Sequence, residues 1–258
     1  MSLRCGIVGL PNVGKSTLFN ALSDAGADAA NFPFCTIDPN IGVVPVPDER
    51  LDTLYDIVGS EEKIPTSVEF VDIAGLVKGA SEGKGKGNAF LSHIREVDLI
   101  VHVVRCFDDE NVVHVEGDVN PKRDIHIIED ELILKDLETV EKRHEKLKKE
   151  AKSGEKETLQ KLEIVERLKE HLELGNAARA FDADEEERKA YQELFLLSDK
   201  PVLYACNVSE EDLDDGNEWV DTVKEIAARF DDEVVTFCAK IEEEIAELDD
   251  DERQMFLE

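Results

Sequence analysis

Gly9-Leu10-Pro11-Asn12-Val13-Gly14-Lys15-Ser16-Thr17 decides the reading of this chain. It fits G-x-x-x-x-G-K-[ST] and lies between an apolar run, Cys5 to Val8, and an amphipathic one, Thr17 to Leu22, so a strand enters the loop and a helix leaves it. Gly9 and Gly14 let the backbone turn so that N–H groups point inward, and the start of the next helix adds partial positive charge. A polyphosphate fits such a cradle. Asn12, Val13, Gly14, Lys15, Ser16 and Thr17 are the expected nucleotide-binding residues. Lys15 would act catalytically on the β- and γ-phosphates, and the Ser16 hydroxyl would hold Mg²⁺.

Outward from this loop the pattern alternates. Leu3 to Gly9, Ile41 to Val46, Ser67 to Ile73, Leu99 to Val104, Pro201 to Cys206 and Glu233 to Phe237 read as strands. Lys15 to Ala25, a helix capped by Asp48 and running through Ile57, Asn88 to Val97, Glu218 to Phe230 and Asp249 to Leu257 read as helices. Strands alternating with helices argue for an α/β fold with a doubly wound, mostly parallel sheet. From about Pro121 to Asp199 the texture changes to Glu, Lys and Leu at helical spacing; Ser153-Gly154 breaks Asp124–Lys152 from Glu155–Leu174, an antiparallel helical hairpin. The expected division is a nucleotide-binding domain from residues 1–120 and 200–258, with a coiled-coil-like insertion over 121–199.

Composition restricts the partners. There are 61 acidic residues against 30 basic ones, a formal net charge of −31. Such a surface repels nucleic acid and phospholipid, so DNA and membranes are not expected partners and an RNA partner needs a local basic patch. The one dense candidate is Lys142, Arg143, Lys146, Lys148, Lys149 and Lys152 on the hairpin, interleaved with Glu141, Glu145 and Glu150. Adaptation to a salty cytoplasm, where the Debye length is about 3 Å at 1 M, is another source of the acidity. No run of 18 apolar residues and no signal-peptide pattern occurs, which places the chain in the cytoplasm. Cys5, Cys35, Cys106, Cys206 and Cys238 lack metal-ligand spacing and read as reduced thiols, mostly buried.

The remaining chemistry follows from position. Asp72 ends a strand where it can hold the Mg²⁺ shell, the Gly75 N–H can bond a γ-phosphate oxygen, and Thr36 lies in a loop able to fold over the metal. Together, behind a phosphate loop, they specify a nucleotide switch. Leu76 follows Gly75 where Ras-like enzymes carry a water-orienting glutamine, so another group must do that work. His93 on a helix and His102 within an apolar strand read as structural; His114, in a loop beyond a strand end, is freer to reach the phosphates and is the catalytic candidate. Asn12 could help coordinate K⁺. Asn207-Val208-Ser209-Glu210 stands where guanine-specific switches have N-K-x-D. Without the Lys stem, and with a longer Glu210, guanine loses preference; adenine becomes plausible, held by Asn207 and groups around Val208.

These stretches, with Asn31-Phe32-Pro33-Phe34-Cys35-Thr36, Asp72-Ile73-Ala74-Gly75-Leu76-Val77-Lys78-Gly79-Ala80 and His102-Val103-Val104-Arg105-Cys106-Phe107, resemble the YchF / Obg-like ATPase family of P-loop GTPase-type proteins. The resemblance implies ATP hydrolysis with residual GTP binding, Mg²⁺ dependence, a coiled-coil-like insertion and association with the ribosome, through the large subunit or its RNA. It also matches His114 to the family's proposed catalytic position, and implies a C-terminal TGS domain after residue 258. The competing readings are a nucleotide-gated scaffold or a GTP-specific switch with negligible turnover. A small-molecule kinase is disfavoured by the D-x-x-G turn.

Overall fold

The computed structural model describes residues 2–25, 41–73 and 87–246, with Leu248 and Glu252. The loop holding Cys35 and Thr36, the Gly75-Leu76 turn, residues 78–86 and, Glu252 aside, the helix expected over Asp249 to Leu257 lie outside the described residues.

Strands β1 (Leu3–Val8), β2 (Ile41–Pro45), β3 (Ser67–Asp72), β4 (Leu99–Cys106), β5 (Val202–Val208) and β6 (Glu233–Phe237) form one sheet in the order β2-β3-β1-β4-β5-β6. Every pairing is parallel except β2 with β3, so the expected mostly parallel sheet is present with an antiparallel edge. The chain leaves β1 for β3 on one side and for β4 on the other, and the loop after β1 therefore opens at the sheet's topological switch point. Helices α1 (Lys15–Ala25), α2 (Glu49–Val58) and α3 (Gly87–Glu96) separate the early strands. As expected, Asp48 caps α2, its side chain accepting from the Arg50 N–H.

Between β4 and β5 stands the helical hairpin: α4 (Pro121–Glu150), a 3₁₀ turn, left-handed Gly154 at φ 75°, and α5 (Lys156–Glu173). Asn120 caps α4 through the Arg123 N–H, with Pro121 in its first turn. Beyond α5 the segment is mostly short turns, including the one-turn helix α6 (Glu185–Arg188), rather than continued hairpin. The packing divides within α4. Ile125, Ile128 and Leu132 join the core under the sheet, whereas Ile133, Val140 and Leu147 join Val165, Leu168 and Leu172 in a second cluster. The first three turns of the long helix thus belong to the sheet.

Two buried polar contacts fasten hairpin to sheet. Asp136 of α4 accepts from the Leu197 and Ser198 N–H groups and the Ser198 hydroxyl, all at 2.7 Å, just before β5. Arg179 pairs with Glu129 at 2.6 Å and Asp232 at 3.5 Å, its guanidinium 4.5 Å from the Phe230 ring centroid. The chain closes with α7 (Glu218–Ala227), β6 and α8 (Ala239–Ala246). The strand pattern alone does not announce α8, which continues straight from β6.

Candidate nucleotide site

The loop Gly9–Gly14 turns as its composition demands. Gly9 has φ 154° and Gly14 φ 98°; a Cβ on Gly9 would lie 2.5 Å from the Val103 carbonyl oxygen, and one on Gly14 would lie 2.4 Å from Asn207 Nδ2. Asn12, at φ 61°, takes a left-handed conformation that asparagine tolerates. Val13 is buried beneath the loop, and α1 starts at Lys15 with Ser16 exposed and Thr17 half-buried in its first turn. The loop residues expected to meet phosphate are therefore gathered around one helix N-terminus.

Lys15 is buried, and its ammonium donates to the Leu10 carbonyl at 2.6 Å. Burial lowers its pKa to about 8, opposed by the charge of Asp72. Asp72, at the end of β3, is raised by burial and pulled back by Lys15. These two charges are thus neighbours at the strand ends. A hydroxyl at Ser16 and a carboxylate at Asp72 are hard oxygen donors of the kind Mg²⁺ prefers, and it takes only one or two from protein when phosphates complete its shell. Among the described residues no group of three or more His, Cys, Asp or Glu gathers to hold a metal by itself. Thr36 and Gly75 lie outside the described residues.

Asn207 at the end of β5 locks the loop from the other side. Its Nδ2 donates to the Val13 carbonyl at 3.0 Å and its Oδ1 accepts the Ala239 N–H at 2.9 Å. Its amide thus braces the phosphate loop against α8, a task beside the expected contact with the base. The Val208 side chain is buried in the core and Glu210 is exposed at the start of a one-turn 3₁₀ helix. Ala239 was not legible as a site residue; Ile241 and Ile245, four apart, are the signal for its helix.

His114 departs most from expectation. It is not free in its loop but buried, its ring against Asp124 in the first turn of α4. Its Nε2 lies 2.9 Å from Asp124 Oδ2, and its Nδ1 accepts the Glu116 N–H at 3.1 Å. The loop is also built from below. Buried Arg105 donates to the carbonyls of Phe107, Val112 and Asp109 at 3.1, 2.8 and 3.4 Å, and Asn12 Nδ2 donates to the Val113 carbonyl at 3.1 Å. The phosphate loop thus touches the residue next to His114. A charged residue inside the apolar run Leu99–Cys106 was the available signal for Arg105; Asp124 had none. His102 is buried against Tyr204, ring centroids 5.6 Å apart, and burial with the charges of Arg179 and Lys15 lowers its pKa to about 3, so it stays neutral as a structural residue should. His93 is exposed on α3 and borders a hollow with Asp72. Cys5, Cys106, Cys206 and Cys238 are buried free thiols; Cys35 lies outside the described residues.

Comparison with known proteins agrees with this geometry. Residues 4–208 match the family model described as 50S ribosome-binding GTPase. The chain is 55% identical to "Ribosome-binding ATPase YchF" of Bacillus subtilis, covering all of this chain and 71% of that protein, and 53% identical to the Escherichia coli O157:H7 protein of the same name with the same coverage. The solved structure of the Schizosaccharomyces pombe YchF GTPase superposes with a TM-score of 0.84 at 40% identity, covering 99% of this chain and 70% of that one. A phosphate loop at the switch point, a helical hairpin between β4 and β5 and identity above one half over the whole of this chain converge: the chain belongs to the YchF family of P-loop nucleotide hydrolases.

Proposed function

We propose that this chain binds and hydrolyses ATP, and GTP less selectively, with Mg²⁺, as a ribosome-associated regulator of translation or stress. The observation that carries the base preference is at the end of β5. Val208 is buried where a guanine-specific switch carries its covering Lys, and Glu210 opens an exposed turn in place of the shorter Asp, which supports a weakened guanine preference; Asn207, held by Val13 and Ala239, keeps one N–H and one lone pair for a base. Adenine is then held by Asn207 and by backbone groups around Val208.

In this reading Asn12 to Thr17 cradle the phosphates, with the Gly75 N–H on the γ-phosphate, and Lys15 turns from the Leu10 carbonyl to the β- and γ-oxygens. Ser16, Asp72 and Thr36 hold Mg²⁺, which when bound neutralises charge across the phosphates. K⁺ would use Asn12 Oδ1, since Nδ2 faces Val113. His114 is the catalytic group in place of Leu76, and its double tether makes basal turnover slow. Residues 121–199 form an arm whose exposed Lys142, Lys146, Lys148, Lys149 and Lys152 meet ribosomal RNA, the large subunit being the partner. The names of the bacterial relatives support the ribosome, and no helix among the described residues is long and apolar enough to cross a membrane, which supports a cytoplasmic setting.

Calorimetric titration with non-hydrolysable ATP and GTP analogues, with Mg²⁺ and either K⁺ or Na⁺, tests this. Tighter binding of the adenine nucleotide is expected, and a clear preference for the guanine nucleotide would overturn the base reading.

A further inference from the structure

We infer that Asp124 is the residue that positions His114 for turnover, fixing the imidazole proton on Nε2 so that Nδ1 is the atom that meets the attacking water. This rests on the catalytic reading of His114 and deepens it. A backbone N–H can only donate, so the Glu116 contact at 3.1 Å requires a lone pair on Nδ1; the neutral ring then carries its proton on Nε2, which donates to Asp124 Oδ2 at 2.9 Å.

The two partners differ in rigidity. Asp124 is buried in the first turn of α4, whose Ile125 and Ile128 are fixed in the sheet's core, and its Oδ1 accepts from Arg123 Nε at 3.0 Å. Arg123 is itself held by Asp118. Glu116 is exposed, in a turn closed by Gly117 at φ 94°, so its contact is local and a rotation of one peptide releases it. Nδ1 is therefore the atom that becomes available while Nε2 stays anchored. Arg105 holds the near side of the loop through backbone carbonyls, and Asn12 ties Val113, the residue before His114, to the phosphate loop.

The step balances without another reactant. Water oxygen bonds to the γ-phosphorus, its proton passes to Nδ1, and the bond from phosphorus to the bridging oxygen breaks with its electron pair leaving on the nucleoside diphosphate. His114 becomes an imidazolium paired with the Asp124 carboxylate, and returns the proton to the released phosphate.

The test compares His114→Ala, Asp124→Asn and Asp124→Glu in steady-state ATP turnover, nucleotide binding by a fluorescent analogue and ¹⁵N spectra of the histidine rings. Asp124→Asn is expected to lower kcat by about 100-fold or more with binding unchanged. It should also redistribute the proton between the two ring nitrogens, and Asp124→Glu should recover part of kcat. Denaturant unfolding checks that the variants fold, and the ring spectra read the tautomer directly even where turnover is lost. Loss of turnover in His114→Ala with near-normal turnover in Asp124→Asn would overturn this inference alone, as would an unchanged tautomer in Asp124→Asn. Normal turnover in His114→Ala would overturn the catalytic reading of the histidine itself.

Discussion

At the strand ends around the phosphate loop, buried polar side chains face backbone; along the hairpin, exposed charges face one another. Lys15 meets the Leu10 carbonyl, Asn207 meets Val13 and Ala239, and Arg105 meets three carbonyls. On the hairpin, Lys161 pairs with Glu157, Lys169 with Glu173 and Lys146 with Glu150, each one helical turn apart. A surface pair can be exchanged for another at little cost, whereas a buried donor aimed at one carbonyl has no substitute. The difference teaches where this chain tolerates change: most of its acidity collects on exposed faces, while the buried side chains of the site are each held by a specific partner.

The strongest break of that contrast is Lys15→Ala. It should weaken ATP binding about 100-fold or more while leaving the unfolding midpoint intact, since the ammonium is buried at a desolvation cost. Titration calorimetry beside thermal unfolding reads both, and unimpaired binding would sink the site. Next comes Gly14→Ala, where φ 98° and a Cβ 2.4 Å from Asn207 Nδ2 combine backbone strain with loss of the Asn207 brace. The expected cost is about 3 kcal/mol in denaturant unfolding, with nucleotide binding lost.

Asp136 lies where the two regions meet. Burial raises its pKa to about 6 from an ordinary 3.8, outweighing three hydrogen bonds and the field of Arg95 that favour the carboxylate. Its folded form therefore binds a proton before its unfolded form does. Stability from this group rises as pH falls from about 6 to 3.8, by roughly 2 to 3 kcal/mol. The stability gap between the native chain and Asp136→Asn should widen over that window; a constant gap would refute it. The smallest effect belongs to Gly154→Ala at the hairpin tip, with φ 75° and nothing within 4 Å of a new Cβ. It should cost about 1 kcal/mol or less and leave ATP binding untouched.

What could be read in the sequence was local. Gly9 and Gly14 announce their turn, Asp48 its cap, and Ser153-Gly154 the break between α4 and α5, because each acts within a few residues. What could not be read depends on partners far along the chain. Asp136 looks like any polar residue on a Glu-rich helix, yet it is buried because Leu197 and Ser198 return to it 61 and 62 residues later. His114 reads as a free loop histidine until the turn at Gly117 and the cap at Asn120 bring Asp124 onto its ring. Asn207 betrays its motif but not its task, since Val13 stands 194 residues away. Alpha helix α8 escaped because β6 runs into it without a polar cap.

The division of packing within α4 has a mechanical consequence. A helix of 30 residues is about 45 Å long at 1.5 Å per residue, and here its first half is held, by the core through Leu132 and by the turn before β5 through Asp136. The part beyond Asp136 projects about 20 Å as an arm packed against α5, so a tilt of about 5° at Asp136 moves the Lys149 end by roughly 2 Å. Read backwards, a load taken at the tip meets the body of the protein first at Asp136, and through it the Leu197-Ser198 turn that feeds β5.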